Sequence, residues 1–243
     1  MNNIIEIKNF TMRFGDNTVI DNLSFEVRQG ETFGFLGSNG SGKTTTLRAL
    51  LGIYEPTEGS LLVKGKPYAV DGDVKIGYLP EERGLYKKET VIDTMVYFGK
   101  LKGMTASAAN DFSLQYLARV GLADHANMRL DKLSGGQQQK VQLGITIMDD
   151  PELLILDEPT KGFDPVNRRL LMEIIDDCQK QGATVVMVTH QMEEVERLCD
   201  RILLLKDGRA KEYGTLASVR KKYDGAHMDD IFVKIYEETG GDE

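Results

Sequence analysis

Cysteine is nearly missing from this chain: Cys178 and Cys199 are the only two in 243 residues. Their spacing fits no metal-ligand pattern. Two thiols in a chain of this size suit free cysteines in a reducing compartment better than a disulfide framework. Long apolar runs are missing too. The longest, such as "LLIL" and "VVMV", fall far short of the roughly 20 residues a membrane helix needs, so any membrane role must come through a partner. The opening "MNNIIEIKNF" has neither a basic start nor an extended apolar stretch, and no signal peptide is expected. Positive charge is in deficit: 30 Lys and Arg against 38 Asp and Glu give a net charge of −8. That balance argues against non-specific attachment to nucleic acid or to an anionic lipid surface, and no nucleic-acid partner is expected. There is no internal repeat and no low-complexity tract.

What remains is ordinary globular material, 41% hydrophobic and 28% charged, enough for one large domain or a core with an inserted subdomain. "IIEIKNFTMRF" and "LSFEV" alternate apolar and polar residues, as half-buried antiparallel strands do. Gln29-Gly30 reads as a turn. "TFGFLG" is a short buried strand ending at Gly37, followed by the helix-prone "KTTTLRALLG". "YEPTEGS" is a breaker cluster, after which "LLVKG" resumes strand character. From about Val91 to Gly121 the pattern turns helical, with Met95, Phe98 and Leu101 spaced by three, then Leu114, Leu117 and Val120. "LLILDEP" and "TVVMVTH" read as core strands of a parallel sheet, each delivering a polar side chain at its C-terminal end. A helical run between Arg168 and Gln181 links them, and the tail "GGDE" is expected to fray. The expected fold is α/β: a mixed-sheet core, an antiparallel N-terminal β subdomain and a mainly helical insertion.

"GSNGSGKT", Gly37 to Thr44, fits G-x-x-x-x-G-K-[ST], and it follows a strand and opens a helix as that motif requires. Its glycines let the backbone wrap a polyphosphate, and successive N–H groups with the helix N-terminus face the anion. Gly37, Ser38, Asn39, Gly40, Ser41, Gly42, Lys43, Thr44 and Thr45 are the expected nucleotide-binding residues. Lys43 would reach the terminal phosphates and Thr44 would offer an oxygen to Mg²⁺. In "LLILDEP", Asp157 ends an apolar strand, placed to hold Mg²⁺ through water. Glu158 follows beside the γ-phosphate, where a water can be positioned for attack. An acidic pair is otherwise an ordinary solvated turn, but the aliphatic strand before it and the phosphate loop elsewhere favour the catalytic reading. His190 ends a neighbouring strand and is a further catalytic candidate. "LSGGQQQK", Leu133 to Lys140, carries no acid, histidine or metal-ligand pair, and in isolation it reads as a helix start capped by Ser134.

The P-loop, "LSGGQ", "ILDEPT" and "VTH", in this order, resemble the ATP-binding subunit of ABC transporters over about residues 5–235. The resemblance implies a P-loop ATPase fold whose helical insertion carries the signature. Two such subunits would face each other head to tail, identical or not, each ATP lying between the P-loop of one and the signature of the other. Ser134, Gly135, Gly136 and Gln137 would then open a helix toward the partner's γ-phosphate. The resemblance further places Phe14 against adenine, although a core position on its alternating strand is the other reading. It sets Asp164 of "GFDP" toward the dimer partner. Where the family commonly has glutamine after the strand "IGYLP", this chain has Glu81, expected as a conditional Mg²⁺ ligand that senses the membrane subunit; alternatively Glu81 points away and Glu82 or Arg83 governs the loop.

"GYLPEERGLY", "QQKVQL" and "DPVN" look like the subgroup serving ABC-2-type exporters, which includes sodium-efflux and drug-resistance pumps. On this resemblance residues 1–84 and 151–220 form the catalytic core, 85–150 the helical subdomain and 221–243 a short C-terminal segment with no further regulatory domain expected. The chain would be an ATP- and Mg²⁺-dependent motor, peripheral on the cytoplasmic face of a membrane, driving a separate membrane-spanning subunit that docks near Glu81 to Tyr97. A soluble ABC ATPase acting on ribosomes or DNA is the alternative, but such proteins commonly fuse two cassettes or carry long coiled coils. A P-loop kinase would leave "LSGGQ" unexplained.

Overall fold

The structure, a computed structural model, describes residues 2–67, 74–82, 84–85 and 88–237. Two long strands open the chain, β1 (Asn3–Phe14) and β2 (Asn17–Arg28), paired antiparallel as their alternation requires. Next come β3 (Thr32–Leu36), α1 (Lys43–Leu50) and β4 (Glu58–Val63). The last joins β1 to complete an antiparallel three-stranded sheet in the order β2-β1-β4. β4 begins at Glu58, inside the predicted breaker cluster. Gly59 makes this possible, because a side chain there would collide with the Asn9 carbonyl at 2.3 Å. The helical region follows with β5 (Ile76–Leu79), α2 (Val91–Leu101), α3 (Ala106–Arg119) and α4 (Gly135–Ile147). The chain then returns through β6 (Leu153–Asp157), α5 (Pro165–Lys180), β7 (Thr184–Val188), α6 (Met192–Leu198), β8 (Arg201–Lys206), β9 (Arg209–Thr215), α7 (Leu216–Lys222) and α8 (Met228–Glu237).

The central sheet runs β5-β6-β7-β3-β8-β9, parallel except for β9, which pairs antiparallel with β8. Both its faces are buried, which explains the continuous apolar runs. Side chains alternate across a strand. Leu154, Leu156, Val185, Met187, Ile202 and Leu204 therefore enter the core beneath the helices. Leu153, Ile155, Val186, Val188, Leu203 and Leu205 enter the core beneath β1, β2, β4 and α1. Each parallel strand ends at the same edge of the sheet, where β3, β5, β6 and β7 release the residues of interest. This is the edge at which open α/β sheets bind ligands.

The predicted helical run is two helices, α2 and α3, but two of its six apolar markers lie outside the core. Leu101 is 64% exposed and Leu114 is 46% exposed. A spacing of three falls 60° short of a full turn each time, so the outer member of each triplet rotates off the buried face while Met95, Leu117 and Val120 stay on it. At the far end of α4, Lys102 donates to the carbonyls of Ile145, Thr146 and Met148 at 2.7, 2.9 and 3.1 Å, tying α2 to that terminus. Cys199 is buried with its Sγ 3.0 Å from where a Cβ on Gly34 would stand, and Cys178 is half-buried on α5. Among the described residues no helix is long and apolar enough to cross a membrane. The predicted fraying of "GGDE" and any role of Arg83 lie outside the described residues.

Candidate functional site

The loop from Gly37 to Gly42 leaves β3 and turns into α1 at Lys43. Two of its glycines are required by contact. Gly37 has φ 156°, and a Cβ there would meet Leu205 O and Ser41 Oγ, both at 2.5 Å; Gly42 has φ 107°, and a Cβ would meet Ile20 Cδ1 at 2.2 Å. Lys43 is buried and donates to the carbonyls of Gly37 and Ser38 at 2.8 and 2.9 Å. Burial lowers its pKa, while Glu158, Asp157 and Glu81 act to raise it. A cavity of about 400 Å³ opens over the loop, lined by Val19, Asn39, Gly40, Gly42, Lys43, Thr44, Thr45, Glu81, Asp157, Glu158, Lys161 and His190. That volume lies within the usual range of ligand sites.

The register of β6 with β7 pairs Asp157 with Val188. The residues following each strand, Glu158 and Thr189-His190, are thereby neighbours. Glu158 has φ 51°, a left-handed conformation uncommon outside glycine. Its turn is held from several sides. Its N–H donates to Val188 O at 2.8 Å. Gln139 of α4 donates Nε2 to the carbonyls of Glu158 and Pro159 at 3.2 and 2.9 Å. Thr160 donates to the buried carboxylate of Glu194, which also accepts from Thr189 Oγ1 at 3.1 Å. Held this way, Glu158 Oε1 lies 2.6 Å from His190 Nδ1. Its Oε2 is buried without a hydrogen-bond partner, as is Ser41 Oγ in the loop. The Asp157 carboxyl is pushed up to about 6 by burial, then by the charges of Glu81 and Glu158.

Glu81 faces this cavity and pairs with Lys161 at 2.6 Å, an exposed contact. Sequence reading missed Lys161, Gln139 and Glu194. Lys161 directly follows "DEPT" and Gln139 is the third glutamine of "GGQQQ"; Glu194 carried no local signal, since it matters by joining nearby Thr189 to Thr160, 34 residues away.

Other predicted residues lie outside the cavity wall. Ser134 is exposed and caps α4 in a reciprocal box: its Oγ accepts from the Gln137 N–H at 3.3 Å, and Gln137 Oε1 accepts from the Ser134 N–H at 2.8 Å. Gly135 and Gly136 form the first turn; a Cβ on Gly136 would stand 3.2 Å from the Phe163 ring. Asp164 caps α5, accepting from the N–H groups of Val166 and Asn167, each at 3.0 Å. Phe14 is no core residue: it is 46% exposed, edge-on to Tyr54 with centroids 5.4 Å apart.

A glycine-lined loop with a buried lysine, two carboxylates and a histidine at one sheet edge suits a nucleotide polyphosphate, and the comparisons agree. The family described as "ABC transporter" matches residues 20–161. This chain belongs to the ABC transporter ATP-binding family. An uncharacterized ABC transporter ATP-binding protein of Methanocaldococcus jannaschii is 45% identical over 218 residues, 90% of this chain and 80% of that one. A Nod factor export ATP-binding protein of Burkholderia lata is 39% identical over 84% of this chain and 68% of its own length. The linearmycin resistance ATP-binding protein of Bacillus subtilis is 34% identical over 91% and 72%. A solved structure described as the ATP binding subunit of an ABC transporter superposes with a TM-score of 0.89 at 27% identity, covering 96% of this chain and 99% of that one. The ABC subunit described here binds ATP, and its reaction is ATP hydrolysis coupled to transport.

Proposed function

We propose that this chain is the motor of an exporter. Two copies, or one copy and a related ATPase, close over ATP and drive a separate membrane-spanning subunit from the cytoplasmic face. The observation that carries the hydrolytic part is the division of labour at Glu158. One carboxylate oxygen is engaged by His190 at 2.6 Å, and the other is buried and unpartnered. The free oxygen is the proton acceptor for the attacking water, and His190 holds the carboxylate in orientation and reaches the γ-phosphate. Lys43 exchanges its loop carbonyls for phosphate oxygens, and the backbone of the loop wraps the β-phosphate. Thr44, Asp157 and Glu81 would hold Mg²⁺, which would neutralise charge on the terminal phosphates. The donor set fits: a hydroxyl and carboxylates suit a hard cation, and the Asp157 carboxyl is raised first by burial and then by the neighbouring charges of Glu81 and Glu158, a pair a cation would offset. Phe14 supports adenine.

Ser134, Gly135, Gly136, Gln137 and Asp164 act on the second subunit's nucleotide. The exposure of Ser134 and Asp164, the partial exposure of Gly135, Gly136 and Gln137, and the absence of all five from the cavity wall support a role across an interface. The division into a core of 1–84 and 151–220, a helical subdomain of 85–150 and a C-terminal segment of 221–243 belongs to the same reading. A second cavity of about 400 Å³, lined by Glu89, Asp93, Thr94 and Tyr97, is where the membrane subunit docks; residues 83, 86 and 87 of the expected docking stretch lie outside the described residues. Export as the direction rests on the relatives named for Nod factor export and linearmycin resistance. The test is to find whether a multi-span membrane protein is encoded beside this gene and to co-express the two. A stable complex, ATPase stimulation and ATP-dependent loss of cargo from loaded cells are expected. No association with that protein, or ATP-dependent uptake, would overturn the reading.

A further inference from the structure

Helix α8 lies beyond the matched residues 20–161, yet it touches the phosphate loop. Its last turn carries Tyr236, whose hydroxyl accepts from the Ser38 N–H at 2.7 Å and donates to the Leu205 carbonyl at 2.8 Å. The hydroxyl thus bridges the loop and the end of β8. The ring itself is fixed. It stacks on Phe232 with centroids 4.5 Å apart, and the Lys206 ammonium lies 5.0 Å from its centroid. Lys206 is buried and donates to the carbonyls of Ile235 and Tyr236 at 3.0 and 3.2 Å, pinning the turn that presents the hydroxyl. The rest of α8 is anchored by Met228, Ile231 and Ile235 in the core beneath the helices.

The Gly37–Ser38 peptide is therefore held from both sides by side chains. Lys43 takes its carbonyl and Tyr236 takes its N–H. These two holds differ in fate. A Lys43 that turns to a phosphate releases the carbonyl, whereas neither Ser38 nor Tyr236 lines the cavity over the loop, so the Tyr236 contact need not break when that cavity fills. The peptide that begins the cradle then keeps its orientation through α8. We propose that Tyr236 is a positioning residue for the phosphate loop, and that the C-terminal helix sets nucleotide affinity through it. The inference rests on the ATP site alone, not on the dimer or the direction of transport.

The test uses the full chain and two readouts, ATP hydrolysis against ATP concentration and equilibrium binding of a fluorescent ATP analogue. Tyr236→Phe keeps the ring and removes only the bridge between the Ser38 N–H and the Leu205 carbonyl. KM and the analogue's Kd should rise together by about five- to tenfold, the scale of one hydrogen bond, with kcat within about twofold because the reacting atoms are untouched. Ser38→Pro deletes the N–H that the tyrosine accepts from. In that background Tyr236→Phe should change Kd by less than about twofold, since coupled contacts do not add. A lowered melting temperature with unchanged KM and Kd would reduce Tyr236 to a packing residue and overturn the proposal. So would a fall in kcat at constant KM, or losses that multiply in the double variant.

Discussion

At the phosphate loop, Lys43 and Ser41 are buried, two glycines are enforced by contacts under 3 Å, and a cavity stands over them. At the signature stretch, Ser134 is exposed, the first turn of α4 is satisfied by its own capping box, and no signature residue lines that cavity. Both stretches place glycines at a helix start, Gly42 just before α1 and Gly135 and Gly136 in the first turn of α4, so the local chemistry is similar. They differ in what surrounds the helix start. The first is enclosed by the strand ends of the central sheet; the second projects from the helical region. A phosphate can be wrapped at the first by one chain, whereas the second offers a polar half-site that needs something brought to it. Gln139 joins the two regions within the chain, because it stands on the helix the signature opens and donates to the backbone of Glu158 and Pro159.

The largest expected effect lies in the enclosed region. Glu158→Gln removes the proton acceptor while keeping shape, and should retain ATP binding but lower turnover by about 10²–10⁴. An ATPase assay that finds turnover within about threefold of wild type would sink the assignment. The comparison itself is broken or upheld by a pair of variants. Lys43→Ala should weaken ATP binding to the monomer by about 10–100-fold, the range for a hydrogen bond to a charged group. Gly136→Asp should leave monomer binding nearly intact and abolish hydrolysis, and mixing the two should restore one competent site. Gly136→Ala is the steric control, since any side chain there presses on Phe163. Equal loss of monomer affinity in both variants would mean that the signature acts in its own chain.

A smaller effect probes the link between the regions. Gln139→Leu leaves the buried Pro159 carbonyl without its side-chain donor, while the Glu158 carbonyl keeps the Lys161 N–H at 3.2 Å; the cost is about 1–3 kcal/mol, or a fall in melting temperature of several degrees. Nucleotide affinity should hold while kcat falls, as the left-handed Glu158 loses part of its support; a normal kcat would remove Gln139 from the catalytic account. The smallest effect is at Glu81. Its pair with Lys161 is exposed and contributes only about 0–1 kcal/mol. Glu81→Gln should shift the Mg²⁺ concentration for half-maximal ATPase and change the maximal rate far less than Glu158→Gln does. An unchanged Mg²⁺ dependence would leave Glu81 outside the metal site.

Much of this was legible in the sequence, for reasons that can be named. The phosphate loop, Asp157, Glu158 and His190 are each written as contiguous strings at the ends of apolar strands, and parallel pairing brings those ends together. The alternation of β1 and β2 and the doubly buried runs of β6 and β7 were equally direct. The helices α2 and α3 were readable, but not their buried faces, because a spacing of three drifts away from a period of 3.6. The strands β8 and β9 and the helix α8 went unread, although "RILLLKDGRAKEY" carries an apolar run, an Asp-Gly turn and a second strand. Glu194 and Tyr236 could not be found by pattern. Their importance comes from partners 34 and 198 residues away, and only the fold makes those distances short.

The two thiols have a practical consequence for watching this molecule move. Cys199 is sealed in the core, and burial pushes its thiol up; Cys178 is pushed up to about 11, chiefly by burial. Maleimides and disulfide reagents attack the thiolate, and at neutral pH a group titrating near 11 is ionised in only about one molecule in 10⁴. The unaltered chain is therefore almost silent to such reagents. A single cysteine placed on an exposed position, such as Val166 beside the cap of α5 or Leu101 at the end of α2, would be labelled against a dark background. An environment-sensitive fluorophore at Leu101 would then report on the helical region, and one at Val166 on the start of α5, when nucleotide is added, without first removing any native side chain.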